Sequence, residues 1–270
     1  DIVVQHALYR YIYPIFNRTF IDQTYACRKG GGTHKASDYT QAALQASDPE
    51  SYVLKLDVRK FFYSIPRKIL CWLFTLKIKD VRVLDVMYMF VDMIGDVGIP
   101  IGNLLSQLYA LICLNPVDHF IKRLLKVKKY VRYVDDMVLV GLTRAQCLEY
   151  RERIGVFLRE KLCLLYSKTS ISKVKRGVNF VGYRTWAGVR LIRKYSLQKF
   201  RRAVVRGRIE SIVSLIGHAK DTASLAYMFR IIIGLNPLLF NRLPKSHKNR
   251  WMQICQTSLA SKDSQCMAAC

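Results

Sequence analysis

An α+β fold, an antiparallel sheet backed by helices, is what this sequence predicts. Three observations carry the prediction. Tyr52–Val58 reads as a short strand ending on Asp57. Tyr130–Gly141, Tyr-Val-Arg-Tyr-Val-Asp-Asp-Met-Val-Leu-Val-Gly, reads as a hairpin with its turn at Asp135–Asp136, because two β-favouring runs flank adjacent aspartates. Apolar residues at helical spacing fill the intervals. At 270 residues, 51% hydrophobic and 11% aromatic, the composition is globular and allows one large domain or two small ones.

Taken in order, Val4, Leu8, Ile12 and Ile15 predict an opening helix over residues 2–20. Tyr25-Ala-Cys-Arg-Lys-Gly-Gly-Gly-Thr-His-Lys-Ala36 follows as a basic, glycine-dense loop, with Thr33 as N-cap of a helix through Leu44. Consecutive glycines let backbone N–H groups approach an anion, and Arg28, Lys29 and Lys35 add charge beside them. A plain surface loop is an equal reading, and the spacing is not that of a Walker loop. Beyond Asp57 come Phe61, Phe62 and Tyr63, then helical patterns at roughly 67–77 and 80–93. A turn at Gly95–Pro100 leads through Ile101–Gln107 into an apolar helix (Leu104, Leu108, Leu111, Ile112) towards Leu125, with Pro116 expected to kink or break it.

Past the hairpin, residues 144–163 predict an amphipathic helix, and Ser167–Ser172 and Val178–Tyr183 read as β-like. From Arg190 the chain turns basic: Arg190, Arg193, Lys194, Lys199, Arg201, Arg202, Arg206 and Arg208 stand against Glu210. That stretch predicts a cationic helix with Leu197, Phe200, Val204, Ile212 and Leu215 as its apolar positions, followed by a helix over about Ala223–Ile233. Residues 241–270 carry no element signal.

The formal charge is +25, from 44 Lys+Arg against 19 Asp+Glu. Self-repulsion on that scale points to a polyanionic partner, nucleic acid first and a membrane surface second. No uninterrupted apolar run approaches the roughly 20 residues that span a bilayer. No signal-peptide pattern opens the chain, although a start at Asp1 is compatible with trimming. The 8 cysteines form no Cys-x-x-Cys pair, so zinc is not expected. They read as reduced thiols acting as small hydrophobes in a cytoplasmic protein.

The chemistry rests on a combination. An Asp-Asp turn alone is most simply a solvated turn, and a lone Asp at a strand end is most simply structural. Together, a strand ending on Asp57 beside a hairpin presenting Asp135 and Asp136 can place carboxylates around a pair of divalent ions. Two ions about 3.5–4 Å apart stabilise both the attacking and the leaving oxygen of an in-line phosphoryl displacement. Asp57 and Asp135 are the expected metal ligands, with the carbonyl of Val58 as a further oxygen. Mg2+ is the expected ion, with Mn2+ as a substitute.

The motifs then fall into a familiar order. Asp57-Val-Arg-Lys-Phe-Phe62 resembles motif A of reverse transcriptases, and Tyr133-Val-Asp-Asp136 resembles motif C. Ile101-Gly-Asn-Leu-Leu-Ser-Gln107 resembles motif B, Lys168 lies where motif D has a lysine, and Val178–Tyr183 resembles the primer-grip motif E. The resemblance covers roughly residues 20–215 and implies a right-hand polymerase with fingers, palm and a short helical thumb. It divides the chain into fingers and palm at 1–190, thumb at 191–240 and a tail at 241–270.

It also implies roles. Phe62 takes the place of the steric gate under the sugar, while Ile101, Gly102 and Gln107 border the incoming nucleotide. Lys168 faces the pyrophosphate, and Arg28 contacts the triphosphate from the fingers. Arg190, Arg193, Lys199, Arg201 and Arg202 track the RNA–DNA hybrid.

Motif B departs from the retroviral pattern: Ile101 stands where a Gln precedes the Gly, and Gln107 where a Pro follows the Ser. This form is similar to reverse transcriptases of diversity-generating retroelements. That resemblance implies error-prone cDNA synthesis from a template-repeat RNA in a phage or bacterium, from dNTPs, beside a small basic oligomeric accessory protein. Reverse transcriptases of group II introns and retrons are the near alternatives. The former usually carry added maturase or endonuclease regions, and the latter a Val-Thr-Gly motif absent here. An RNA-templated RNA polymerase would more often show Gly-Asp-Asp. A non-catalytic RNA-binding protein explains the charge but not the aspartates.

Overall fold

The computed structural model describes residues 2–91 and 95–267, with side chains as far as Gln256, and divides at Val181/Gly182 into two units. The first unit runs α1 (Ile2–Asn17), α2 (Thr33–Gln45), β1 (Tyr52–Val58), α3 (Phe61–Ser64), α4 (Arg67–Thr75), α5 (Val81–Met89), α6 (Leu104–His119), β2 (Lys129–Tyr133), β3 (Asp136–Leu142), α7 (Arg144–Leu162), β4 (Tyr166–Lys173) and β5 (Val178–Phe180). Along β1, buried Leu54, Leu56 and Val58 alternate with the more accessible Lys55 and Asp57. That alternation sends one face into the core and the polar face outward. The sheet order is β2-β3-β1-β4, and every neighbouring pair is antiparallel. The predicted α+β architecture is therefore the observed one.

The helices cover the sheet through one continuous apolar core. Ile12 and Phe16 of α1, Leu70 and Phe74 of α4, Leu108, Tyr109 and Leu111 of α6, and Ile154 and Leu158 of α7 all join it. At α7 the chain starts on a capping box: Thr143 accepts from the Gln146 N–H while the Gln146 side chain accepts from the Thr143 N–H. Pro116 does not break α6. The helix continues through it into a wide π-turn at Phe120–Leu124, since burial on all sides holds a run that propensity alone would interrupt. The combined run Leu104–Leu124 is long and apolar enough to cross a bilayer by length and composition, although polar residues interrupt it; 67% of its 18-residue apolar window is buried inside the protein, as suits a core helix.

One buried polar cluster crosses this core. Asp118 of α6 and Arg132 of β2 are both fully buried and form a fork-to-fork ion pair, Nε to Oδ1 at 2.8 Å and a second nitrogen to Oδ2 at 2.5 Å. The Tyr130 hydroxyl donates to Oδ1 at 2.7 Å and the Thr24 hydroxyl to Oδ2 at 3.2 Å. Residue 24 is itself bridged to residue 132 in parallel fashion, with Arg132 N–H donating to the Gln23 carbonyl at 3.0 Å. A buried charge is tolerated only when paired and fully hydrogen-bonded, and this one is.

The glycine-dense loop differs from expectation. The N–H groups of Gly31 and Gly32 donate within the loop, to Arg28 and Tyr25 carbonyls at 3.0 and 2.8 Å, and are turned inward from any anion. Gly31 is required because a Cβ there would collide with the Tyr25 carbonyl oxygen. Thr33 opens α2 as its first residue, and the capping position falls on Gly32.

In the second unit, β6 (Tyr183–Thr185) pairs with β7 (Arg190–Ile192), followed by α8 (Lys194–Val205), α9 (Ile209–Ala219), α10 (Ser224–Leu235), α11 (Pro237–Arg242) and α12 (Lys245–Met267). Arg190 thus lies in a strand, and the basic helix begins four residues later than the charge pattern places it. The stretch 241–270, read as signal-free, carries the whole of α12. Among the described residues the cysteines are free thiols; Cys113 and Cys147 are buried as expected, whereas Cys27 and Cys163 are exposed.

Replacing Gly31 by Ala forces the loop off the Tyr25 carbonyl and should destabilise the protein by about 1–3 kcal/mol, read as a lower midpoint in urea with unchanged slope.

Candidate active site

The acids converge through strand register. Asp57 of β1 is the cross-strand partner of Asp136 of β3, so their Cα atoms sit about 4.5–5.5 Å apart with both side chains on one sheet face. On the other edge of β1, Asp57 is the register partner of Lys168. Tyr133 pairs with Asp136, which leaves Val134 and Asp135 as a two-residue turn. The turn therefore sits one residue earlier than predicted: Asp135 is at its tip, and Asp136 already belongs to the strand.

Val134 has φ of 55°, in the left-handed region where a β-branched residue is strained. Hairpins of this length favour glycine at such a position.

Each acid has its own surroundings. The Asp57 carboxylate accepts from the Ser167 hydroxyl. Ser167 is the extra residue of a β-bulge, opposite the step from Asp57 to Val58. Asp136 forms an ion pair with Lys55 at 2.8 Å, and the same ammonium donates to the Asn179 carbonyl at 2.8 Å. Burial pushes the Asp136 carboxyl up to about 6; Asp57 and Asp135 add to the rise while Lys55 opposes it. Asp135 is likewise raised, by burial first and then by the neighbouring Asp57 charge, against a hydrogen bond from its own backbone N–H.

These groups fit a divalent cation. Asp57 and Asp135 are like charges held close together, and Asp136 Oδ1 is buried without a hydrogen-bond partner. Val58 follows Asp57 as the last residue of β1, with its side chain in the core; its one possible ligand atom is the backbone carbonyl oxygen. Among the described residues no group of three or more His, Cys, Asp or Glu side chains could hold an ion. Mg2+ nevertheless suits such a place, because it is commonly held by one or two carboxylates and completed by water and substrate phosphate oxygens.

The nucleotide-facing residues predicted from sequence divide into two sets. Phe62 is half-buried on α3, in edge-to-face contact with buried Phe61 at 5.7 Å. Ile101 is 59% exposed just before α6, although it is a large apolar residue. Gly102 follows with φ of 88°, letting the chain turn into the helix, and Asn103 caps it by accepting from the Leu105 N–H at 2.8 Å. Gln107 is exposed on the second turn, and Lys168 is exposed on β4.

Arg28, read as a triphosphate contact, is engaged within its own loop. Its guanidinium donates to Asn17 Oδ1 at 2.9 Å and to the carbonyls of Ile21 and Thr24 at 2.6 and 3.2 Å. It braces the loop after α1 through these bonds.

In the second unit the predicted nucleic-acid contacts also divide. Lys199 and Arg202 are exposed on α8, and Arg193 is half-buried at its start. Arg201 lies over the Tyr227 ring at 5.7 Å and donates to its hydroxyl. Arg190 is buried over the Tyr183 ring at 5.6 Å, which corrects its assignment to a nucleic-acid surface.

Sequence reading missed Lys55, Ser167 and Arg67. Lys55 was within reach, since it lies two residues before Asp57 and so shares its face. Ser167 depends on a bulge that no local pattern announces. Arg67 is buried and donates to the carbonyls of Gly95, Val97 and Gly98, bracing the segment that leads to Ile101.

A family model described as reverse transcriptase (RNA-dependent DNA polymerase) matches residues 3–185. The chain belongs to the reverse transcriptase family. Members of this family use divalent metals, typically Mg2+. Among solved structures, telomerase from Candida albicans, in complex with a fragment of telomeric RNA, aligns with a TM-score of 0.52 at 13% identity, over 94% of this chain and 48% of that one. Apo telomerase from Candida tropicalis aligns with a TM-score of 0.53 at 10% identity, over 91% and 51% of the two chains. The foamy viral protease-reverse transcriptase with an RNA/DNA hybrid is more distant, with a TM-score of 0.45 at 16% identity over 81% and 28%. At these identities the likeness to the telomerases is one of fold, and the chain spans about half their length. No curated protein matches it.

Removing the cation at Lys55 should raise the Asp136 titration further. In the metal-free protein, Lys55→Gln is expected to move the Asp136 carboxyl midpoint up from about 6 by about one to three pH units, read by carbon-detected NMR.

Proposed function

We propose that this chain is the polymerising core of an RNA-directed DNA polymerase, extending a DNA primer on an RNA template from dNTPs. The observation that carries the reading is the register that sets Asp57 opposite Asp136, with Asp135 on the adjoining turn. A bound pair of Mg2+ ions would supply charge neutralisation at the primer 3′-oxygen and the triphosphate. The protein's own part is placement. Asp57 and Asp135 would hold the ions, the Val58 carbonyl would add an oxygen, and Lys55 ties Asp136 back as a fixed neighbour. Lys168, across from Asp57, lies on the face where pyrophosphate would leave, and Phe62 lies under the sugar.

Residues 1–190 act as fingers and palm, and residues 191–240 as the thumb. Lys199 and Arg202 on the exposed side of α8, with Arg193 beside them, serve as sequence-independent phosphate contacts. A net charge of +25 supports a standing association with RNA.

Within the family, we assign the chain to the diversity-generating retroelement type, which copies a template-repeat RNA with frequent errors at adenines and works with a small basic accessory protein. The support is Ile101, exposed at the entry to α6 where a hydrogen-bonding side chain would otherwise meet the nascent base pair. Isoleucine contributes packing alone, and a lost polar contact relaxes selection on geometry.

In primer extension with Mg2+, Asp135→Asn should lower synthesis by more than about a hundredfold while template RNA binding is retained; retained synthesis would contradict the polymerase assignment. Ile101→Gln should cut misincorporation opposite template adenine by about fivefold to tenfold, corresponding to about 1 kcal/mol of selectivity, and an unchanged error spectrum in sequenced cDNA would remove the role given to Ile101.

A further inference from the structure

The catalytic turn contains a residue in the wrong conformation for its chemistry. Val134 is β-branched, adopts φ of 55°, and occupies a hairpin position where glycine is the unstrained choice. Strain of this kind persists only when the surroundings over-determine it. Here the surroundings are specific. The Arg132 Nη1 donates to the Val134 carbonyl at 2.8 Å, which fixes the orientation of the peptide that leads into Asp135. The other nitrogens of that guanidinium are bound fork-to-fork by Asp118, so the group cannot rotate away. Asp118 is in turn locked by the Tyr130 and Thr24 hydroxyls.

We propose that Asp118 and Arg132 are positioning residues for the catalytic hairpin. Anchored in α6, the pair holds the left-handed turn at Val134 and so sets the Asp135 carboxylate against Asp57. The guanidinium does not touch substrate; it acts through one carbonyl. A lysine in its place keeps the charge but loses the fork, because an ammonium cannot bind both oxygens of Asp118 in plane and also reach the Val134 carbonyl.

The proposal rests on the reading that Asp135 holds a catalytic cation, and its test separates the two. Arg132→Lys is assayed by steady-state primer extension, at a temperature where circular dichroism shows it folded, over a range of Mg2+ concentrations. The expected result is a fall in kcat of about a hundredfold, as a displacement of order 1 Å produces. The primer–template KM stays within about threefold, and half-saturating Mg2+ rises about tenfold, as for outer partners of a metal site.

The second arm adds Val134→Gly to Arg132→Lys. Glycine adopts the turn without strain, so at least about tenfold of the lost kcat should return. Loss of kcat with no Mg2+ shift and no rescue by glycine would reduce Arg132 to a purely structural role and overturn the proposal. So would a folded Arg132→Lys with ordinary kcat. If Arg132→Lys does not fold, Tyr130→Phe removes a single hydrogen bond from Asp118 and keeps the pair. It should raise half-saturating Mg2+ by about twofold to fivefold, and an unchanged value overturns the proposal. An active Asp135→Asn would sink the polymerase reading itself; an inactive one beside an unaffected Arg132→Lys sinks only the positioning role.

Discussion

A guanidinium and a carboxylate, both sealed from water, tie the main core helix to the hairpin that carries two of the three acids. Strand register sets Asp57 against Asp136, and the tie fixes the peptide that leads into Asp135. Asp118 accepts from Arg132, Tyr130 and Thr24, and Arg132 spends its remaining nitrogen on the Val134 carbonyl. Removing one partner of such a pair leaves a bare buried charge and typically costs about 3–5 kcal/mol. An apolar core would be as stable, but it would not specify the direction of one particular peptide at the hairpin tip. The polar cluster lies in the first unit, which also contains the sheet, the motif A strand and the motif B helix entry.

The three acids are not equivalent, and the sheet explains why. Asp57 stands on the central strand between a carboxylate partner and a lysine partner, with a bulge hydroxyl on one of its oxygens. Asp135 is at the turn, raised by burial and by Asp57. Asp136 is held by Lys55, and burial pushes its carboxyl up to about 6. Like charges gathered in a half-buried site repel, and a divalent cation relieves that repulsion. Burial first, and that repulsion after it, make the metal-free fold less favourable as pH rises. A carboxyl whose folded value is raised holds its proton longer when folded, so its destabilising effect grows from the ordinary carboxylate range up to about 6 and is then fully expressed.

Much of this was legible in the sequence, for reasons that can be named. The alternation in Tyr52–Val58 and the β-rich arms around Asp135 and Asp136 report burial directly, so the sheet and its acids were readable. The turn was misplaced by one residue because adjacent aspartates are a turn signal, whereas a left-handed valine is not; its carbonyl is held by Arg132, two residues earlier on the strand that leads into the turn. Arg190 looked like a phosphate contact because charge is visible in sequence and burial of a guanidinium is not. Pro116 looked like a break because propensity is local, while the packing that overrides it is not. The helix Lys245–Met267 has no clear apolar stripe to announce it. The departures at Ile101 and Gln107 were legible only through resemblance, since no physical rule names the residue a nucleotide pocket should hold.

The account stands on one shared cation site between β1 and the hairpin tip. Iron-directed cleavage of the polypeptide reads that site most directly: Fe2+ replaces Mg2+ in the protein bound to primer, RNA template and a non-reacting nucleotide, and ascorbate with peroxide generates hydroxyl radicals at the bound ion. The account predicts backbone cuts close to both Asp57 and Asp135 in the same protein, with both sets lost in Asp57→Asn. Cuts confined to one of the two segments, or hairpin cuts that survive Asp57→Asn, would contradict it.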